Sequence, residues 1–309
     1  MIFHYQPMKP VPYAGDREDK EFCIYREREI EKSILKHLQN KHLQMLMHDG
    51  DNPPPHRHLI RGTCPWALTK LSTWSRDYAV NMKEYVAIRD WACVAEIQQF
   101  AKRKILFTNV GTWEQHRQLL WDAIKDDKGR GFMKTVEKDF SFDGTLEGLD
   151  SFDMHATHAM PANTQLMISE FINLDEEEYR TFVINHKPVT FSTYSDYFDD
   201  PEASGEPIEK LERFAQDVAN EVRRVYPDCT YYVMDIGFIK TGKPISTRDL
   251  FSDIDPVLIE LNPITSAGRY IYNDFCKIVE AITGLWCDRS YVDFVEEWDT
   301  LNIKEPSHD

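Results

Sequence analysis

The chain has 309 residues, enough for one large domain or two to three small lobes with an ample core. Hydrophobic residues make up 42% and charged residues 28%, an ordinary soluble balance, and no run approaches the roughly eighteen apolar residues of a membrane span. The formal net charge of −16 argues against sequence-independent binding to a nucleic-acid backbone, while leaving room for a local basic groove. The start of the chain, Met-Ile-Phe-His-Tyr-Gln-Pro-Met-Lys-Pro, is too polar and too broken by proline for a signal peptide. A cytosolic protein is expected, a host cell's cytosol included. Cys23, Cys64, Cys93, Cys229, Cys276 and Cys287 are scattered without a Cys-x-x-Cys pair, which favours reduced thiols over a zinc ribbon or a disulfide framework.

In chain order, residues 1–20 are proline-rich and read as irregular. Glu21 to Met47 reads as a helix, with Ile30, Ile34, Leu38 and Leu43 at mixed spacing. Asp49-Gly-Asp-Asn-Pro-Pro-Pro-His marks an exposed loop. Residues 59–110 mix short helical and strand-like patterns around Trp66, Trp74, Trp91 and Phe107, and 1–110 is assigned to an N-terminal lobe on the substrate side. The clearest element is a helix from Glu206 to Tyr226. Its stripe of Ile208, Leu211, Phe214/Ala215, Val218, Val222 and Val225 has helical spacing, Gly205 and Pro207 open it, and Pro227-Asp228 stops it. Ala267 to Gly284 reads as another helix, with Tyr272, Phe275, Ile278, Val279 and Ile282 facing a core; 291–309 is taken as a C-terminal tail.

The most informative stretch is 231–262, where two β-rich runs flank a polar link. Asp235 interrupts the first, Tyr-Tyr-Val-Met-Asp-Ile-Gly-Phe; Glu260 and Asn262 interrupt the second, Pro-Val-Leu-Ile-Glu-Leu-Asn-Pro. Period-two alternation points Glu260 and Asn262 to one side and Leu261 to the other. If the runs pair as a hairpin, Asp235 joins them, giving two carboxylates and an amide carbonyl on one patch. That is a donor set for Mg²⁺, which prefers oxygen and completes its shell with water and substrate phosphates. An exposed acidic strand face is the plain alternative. The apolar flanks speak against it, because charges placed in a buried hairpin need a counter-ion.

Asp235 followed by Glu260-Leu-Asn262-Pro263 resembles the metal-binding end of the ATP-grasp superfamily. Leu166-Met-Ile-Ser-Glu170-Phe171-Ile172 looks like the hinge strand that contacts adenine there. Glu178-Tyr179-Arg180-Thr-Phe-Val is similar to the following hairpin, whose Arg reaches toward phosphates. Phe132-Met133-Lys134, followed by Lys138, resembles the lysine-bearing strand and loop over the nucleotide. The resemblance covers roughly residues 100–285, and its nearest pattern is the branch of cell-division-cycle 123 proteins and related viral and bacterial ATP-grasp proteins. One departure stands out: the stretch Thr135 to Gly144, in place of a glycine-rich loop, holds Gly144 as its only glycine.

The resemblance implies an α/β (α+β) ATP-grasp fold, two antiparallel-sheet subdomains sandwiching nucleotide, with the core at 111–290. It implies ATP and Mg²⁺ as cofactors. Asp235, Glu260 and Asn262 would hold metal, Lys134 and Lys138 the phosphates, and Glu170, Phe171 and Ile172 the adenine. Asp175 or Glu178 would take the ribose hydroxyls, and Arg180 and Arg269 the transferring group. The implied reaction activates a small-molecule or peptide carboxylate as an acylphosphate for attack by an amine or similar nucleophile. The rivals are an ATP-controlled assembly chaperone with a protein partner, and a nucleic-acid or peptide-modifying ligase. His155-x-x-His158 and the group His48, His56 and His58 are weighed as metal ligands and read instead as loop residues.

Overall fold

The computed structural model describes residues 2–6, 8–10, 20–38, 44–47, 58–61, 91–136, 143–151, 160–193, 208–240, 254–264, 267 and 273–302. The chain divides into two compact units: residues 1–88, 177–236 and 260–309 form one, and residues 89–176 and 237–259 the other. No helix among the described residues is long and apolar enough to cross a membrane.

The first unit begins with β1 (Ile2–Tyr5), α1 (Lys20–Leu38), β2 (Gln44–Met47) and β3 (His58–Arg61). Both β2 and β3 pair with β1 in parallel, so β1 is central. This corrects two expectations: the N-terminus is not irregular throughout, and the helix stops at Leu38 while Gln44–Met47 is a strand. Parallel partners lie some forty residues or more from β1, and local periodicity carries no trace of such pairing. Helix α1 buries Ile30, Ile34, Leu35 and Leu38. Its buried Glu31 accepts from the Tyr5 hydroxyl at 2.8 Å and from Arg28 at 3.1 Å, so the charge is paired as burial demands.

Strands β8 (Leu174–Ile184), β9 (Lys187–Thr193), β10 (Tyr231–Lys240) and β11 (Ile254–Pro263) form a four-stranded sheet in the order β11-β10-β8-β9. β10 and β11 are neighbours, as the sequence pattern anticipates. The β8–β9 hairpin turns at Asn185 and His186, with φ of 52° and 60°, the double left-handed turn whose twist matches paired strands. Helix α3 (Ile208–Val225) buries Leu211, Ala215, Val218, Ala219 and Val222, each larger side chain worth about 1.5–3 kcal/mol on burial. Within the expected second helix, α4 runs Phe275–Thr283. Asp274 caps it by accepting from the Lys277 amide at 3.2 Å, and Gly284 ends it at φ 73°. Residues 291–302 form α5 (Tyr291–Asn302), which buries Tyr291, Phe294 and Trp298 and holds α1 through Asp299 and Arg26 at 2.8 Å. Phe182, Ile184, Tyr231 and Val233 of the sheet share a core with α1, α4 and α5.

His186 is buried; its Nε2 meets the Pro227 carbonyl at 3.2 Å, and its Nδ1 has no partner among the described residues. The neutral ring with its proton on Nε2 fits this surrounding, whereas a second proton on Nδ1 would be buried without an acceptor. Burial accordingly lowers the His186 pKa, the Pro227 contact opposes the shift, and Arg223 adds to it. A lowered pKa means the unfolded chain binds more protons below about pH 6.5, so stability falls as pH drops through that value toward the folded pKa. Urea midpoints measured from pH 7.5 to 5 are expected to decline more steeply in the wild type than in His186→Asn, whose Asn accepts the same backbone conformation. Equal slopes would remove His186 as the cause.

The second unit holds helical turns between 91 and 101, then β4 (Ile105–Asn109), α2 (Val110–Ile124), β5 (Arg130–Thr135), β6 (Asp143–Glu147) and β7 (Gln165–Glu170). Its sheet runs β4-β7-β5-β6, antiparallel throughout. Asn109 caps α2 by accepting from the Thr112 amide at 2.8 Å. Val110, Trp113, Trp121 and Ile124 of α2 pack on Met133, Leu146, Leu166 and Ile168. Gly237 of β10 is required by space: a Cβ there would lie 2.9 Å from both Ile259 Cδ1 and Leu174 Cδ2.

Candidate active site

In the first unit, three of the residues singled out from sequence meet on one sheet. Asp235 lies in β10, where every residue from Tyr231 to Phe238 is buried. Arg180 of β8 donates to it twice, Nε to Oδ1 and Nη2 to Oδ2, each at 2.7 Å. Asn262 of β11 donates from Nδ2 to Oδ2 at 2.8 Å. The two charged side chains are only 10% and 5% exposed, so this pair is held out of water. Such a pair must be fully hydrogen-bonded to offset the cost of desolvation, and the bidentate fork with its third donor meets that requirement.

The sheet positions these groups by alternation. Tyr231, Val233 and Asp235 share a face of β10, and Arg180, Phe182 and Ile184 share a face of β8, so an apolar stripe gives way to a polar end. Glu178, two residues before Arg180, follows the same alternation and is half-buried, while Tyr179 between them is buried. Glu260 is half-buried in β11, two residues before Asn262. Asn262 spends its amide nitrogen on Asp235, which leaves its carbonyl oxygen as the atom suited to a cation. Asp235, Glu260 and the Asn262 carbonyl are all hard oxygen donors, so these residues fit Mg²⁺ by their chemistry. Arg180 is the feature that spacing alone did not reveal: it occupies both oxygens of the carboxylate assigned to metal, and any ion would share that carboxylate with a guanidinium.

In the second unit, Lys134 lies on β5, in register with Met167 on one side and Asp143 on the other. Gly131, Met133 and Thr135 are buried, and alternation sends the half-buried Phe132 and Lys134 to the face away from α2. Glu170 closes β7: its Oε2 accepts from the Lys104 amide at 2.8 Å, and its own amide donates to the Lys104 carbonyl at 3.0 Å. Phe171 follows, with the Arg130 guanidinium 3.9 Å from its ring centroid, a cation–π contact. Asp126 steers Arg130 through a 2.9 Å bond to its Nε. Ile172 is half-buried beside them. Arg130 was missed by sequence reading; its only local signal is a period-two relation to Phe132 and Lys134. Arg103, also missed, donates to the Leu258 and Ile259 carbonyls at 3.1 and 3.0 Å and so satisfies the backbone of β11 just before Glu260.

Lys138, Arg269, His48, His56, His155 and His158, and the side chain of Asp175, lie outside the described residues.

Solved structures share this fold at low identity. The VanG D-Ala:D-Ser ligase from Enterococcus faecalis is 10% identical with a TM-score of 0.59, over 98% of this chain and 99% of that one. The D-alanine–D-alanine ligase from Bacillus anthracis complexed with ATP is 14% identical with a TM-score of 0.52, covering 97% of each chain. The macrocyclase MdnC bound with precursor peptide MdnA, from Microcystis aeruginosa MRC, is 11% identical with a TM-score of 0.51, over 91% of this chain and 97% of that one. At such identity the likeness establishes the fold alone. No curated protein matches. The family model described as an ATP-grasp domain, family 2 of its clade, matches residues 100–275, more than half of the chain, and the chain belongs to that ATP-grasp family.

Proposed function

We propose that the protein is an ATP- and Mg²⁺-dependent ligase that activates a small-molecule or peptide carboxylate as an acylphosphate for attack by an amine or a similar nucleophile. The observation that carries this reading is the buried Arg180–Asp235–Asn262 group, with Glu260 on the same strand as Asn262. A stable sheet gains nothing from a desolvated ion pair that apolar residues could replace, so its presence calls for a use. Asp235, Glu260 and Asn262 would hold Mg²⁺, which when bound neutralises charge on the phosphates. Arg180 keeps the Asp235 carboxylate ionised and oriented, and presents a guanidinium to the transferring group. Lys134 offers a point charge to phosphate oxygens, and Glu170, Phe171 and Ile172 form the adenine-side strand end. Two relatives in fold are described as a ligase complexed with ATP and as a macrocyclase bound with a precursor peptide, which is consistent with either size of substrate.

Mg²⁺-ATP is expected to stabilise the protein by roughly 2.7 kcal/mol at a hundredfold excess over its dissociation constant. A thermal scan with millimolar nucleotide, with and without Mg²⁺, checks this, and the absence of any shift would count decisively against the reading. Phosphate release stimulated by carboxylate and amine mixtures would then separate the ligase from an ATP-controlled chaperone, which would form a nucleotide-sensitive protein complex instead.

Lys134→Ala is expected to weaken nucleotide binding by the ~1.5–3 kcal/mol of a hydrogen bond to a charged group. Lys240→Ala, at the far end of β10, should leave affinity unchanged. Calorimetric titration decides between them, and equal affinities for wild type and Lys134→Ala would remove Lys134 from the site.

A further inference from the structure

A second cluster lies in the first unit, on different elements. His37 sits in the last turn of α1, and Cys287 and Asp288 sit in the link between α4 and α5. One ligand atom from each of the three falls within 4.8 Å of the other two. His37 Nε2 and Asp288 Oδ1 are 2.6 Å apart, and the Cys287 thiol is buried beside them. The His37 ring packs edge-on against Phe294 at 5.6 Å, and Arg289 covers the same ring at 4.1 Å, so the cluster rests on an apolar floor.

Plain structural roles account for only part of this. An exposed His–Asp pair is worth little in water and has no need of a buried thiol at ligand distance. Imidazole nitrogen, thiolate and carboxylate together make the donor set of zinc-type sites, whereas Mg²⁺ avoids sulfur. In a tetrahedral shell with bonds of about 2.0–2.3 Å, neighbouring ligand atoms lie roughly 3.3–3.7 Å apart. The His37–Asp288 hydrogen bond would therefore open by about an ångström, which the exposed Asp288 permits.

We propose that His37 Nε2, Cys287 Sγ and an Asp288 carboxylate oxygen form a binding site for one borderline-soft divalent cation of the Zn²⁺ class, with water in the fourth position. On binding, the Cys287 sulfur forms the metal–sulfur bond as thiolate and its proton passes to solvent. His37 ligates as the neutral ring, with its remaining proton on Nδ1. The ion would clamp the end of α1 to the α4–α5 link. This site is independent of the oxygen-donor group around Asp235 and does not rest on the proposed ligase activity.

The test uses full-length reduced protein stripped with chelator, titrated with Co²⁺ and followed by absorbance, then with Zn²⁺ in competition with a chromophoric chelator. One equivalent of Co²⁺ is expected to produce tetrahedral ligand-field bands and an intense near-ultraviolet sulfur-to-cobalt band, both displaced by Zn²⁺. Cys287→Ser should abolish the sulfur band, and Cys93→Ser, at an exposed thiol in the other unit, should keep it. Asp288→Asn, a surface change that should not affect folding, is expected to weaken Zn²⁺ at least tenfold while leaving the melting of the metal-free protein unchanged. A wild-type titration without a sulfur band, a band that survives Cys287→Ser, or wild-type Zn²⁺ affinity in Asp288→Asn would each overturn the site.

Discussion

Arg180→Met is expected to cost about 3–5 kcal/mol of stability, because it strands the Asp235 carboxylate in a sheet interior with Asn262 as the donor that remains of the three described above. Asp235 has 5% of its side chain exposed and cannot recover the lost bonds from water without opening the sheet. The apolar double variant Arg180→Met/Asp235→Leu is expected to regain much of that loss, since removing both charges removes the desolvation penalty along with the attraction. Urea titration of the wild type, both single variants and the double variant gives the coupling energy directly. A purely structural pair would leave nucleotide binding intact in a well-folded double variant. The proposed function requires the opposite, a stable protein that no longer responds to Mg²⁺-ATP. A loss below about 1 kcal/mol in Arg180→Met would show that water screens the pair, as it does at surfaces.

What the sequence made legible follows from the range of each signal. The β-rich runs of β10 and β11, the β8–β9 hairpin and the stripe of α3 are local patterns, and they recur in the structure close to where periodicity places them. The order of the motifs along the chain also agrees with the family match over residues 100–275. Pairings between distant residues left no such imprint. Arg180 and Asp235 are 55 positions apart, and nothing in either segment announces that the guanidinium assigned to phosphate is bonded to the carboxylate assigned to metal. Arg130 against Phe171 is hidden for the same reason, since a turn at Asp126 to Gly129 brings a cation to the hinge from a different strand. The parallel strand β1 is a further case: Phe3 and Tyr5 bury themselves, but a four-residue run beside prolines reads as irregular until its partners are known.

Glu260→Gln isolates the cation-binding role from the structural one. Asp235 is too entangled with Arg180 for its substitution to report on a cation alone, whereas Glu260 is half-buried and outside that fork. Glutamine keeps the size and one carbonyl acceptor but removes a negative charge from the proposed Mg²⁺ ligands. Phosphoryl transfer relies on positioning and charge neutralisation, so turnover is expected to fall by at least about a hundredfold, the scale set by losing one electrostatic contribution in an active site. Stability should change by less than about 1 kcal/mol, as for a substitution that neither opens a cavity nor strands a charge. The measurement is paired: urea midpoints, and Mg²⁺-dependent ATP consumption across a range of Mg²⁺ concentrations. A cation role further predicts that the variant needs more Mg²⁺ for half-maximal rate, a shift that a structural contact would not produce. Unchanged turnover with an altered midpoint would assign Glu260 to the fold, leaving Asp235 and Asn262 too few to hold the ion and removing most of the support for a ligase.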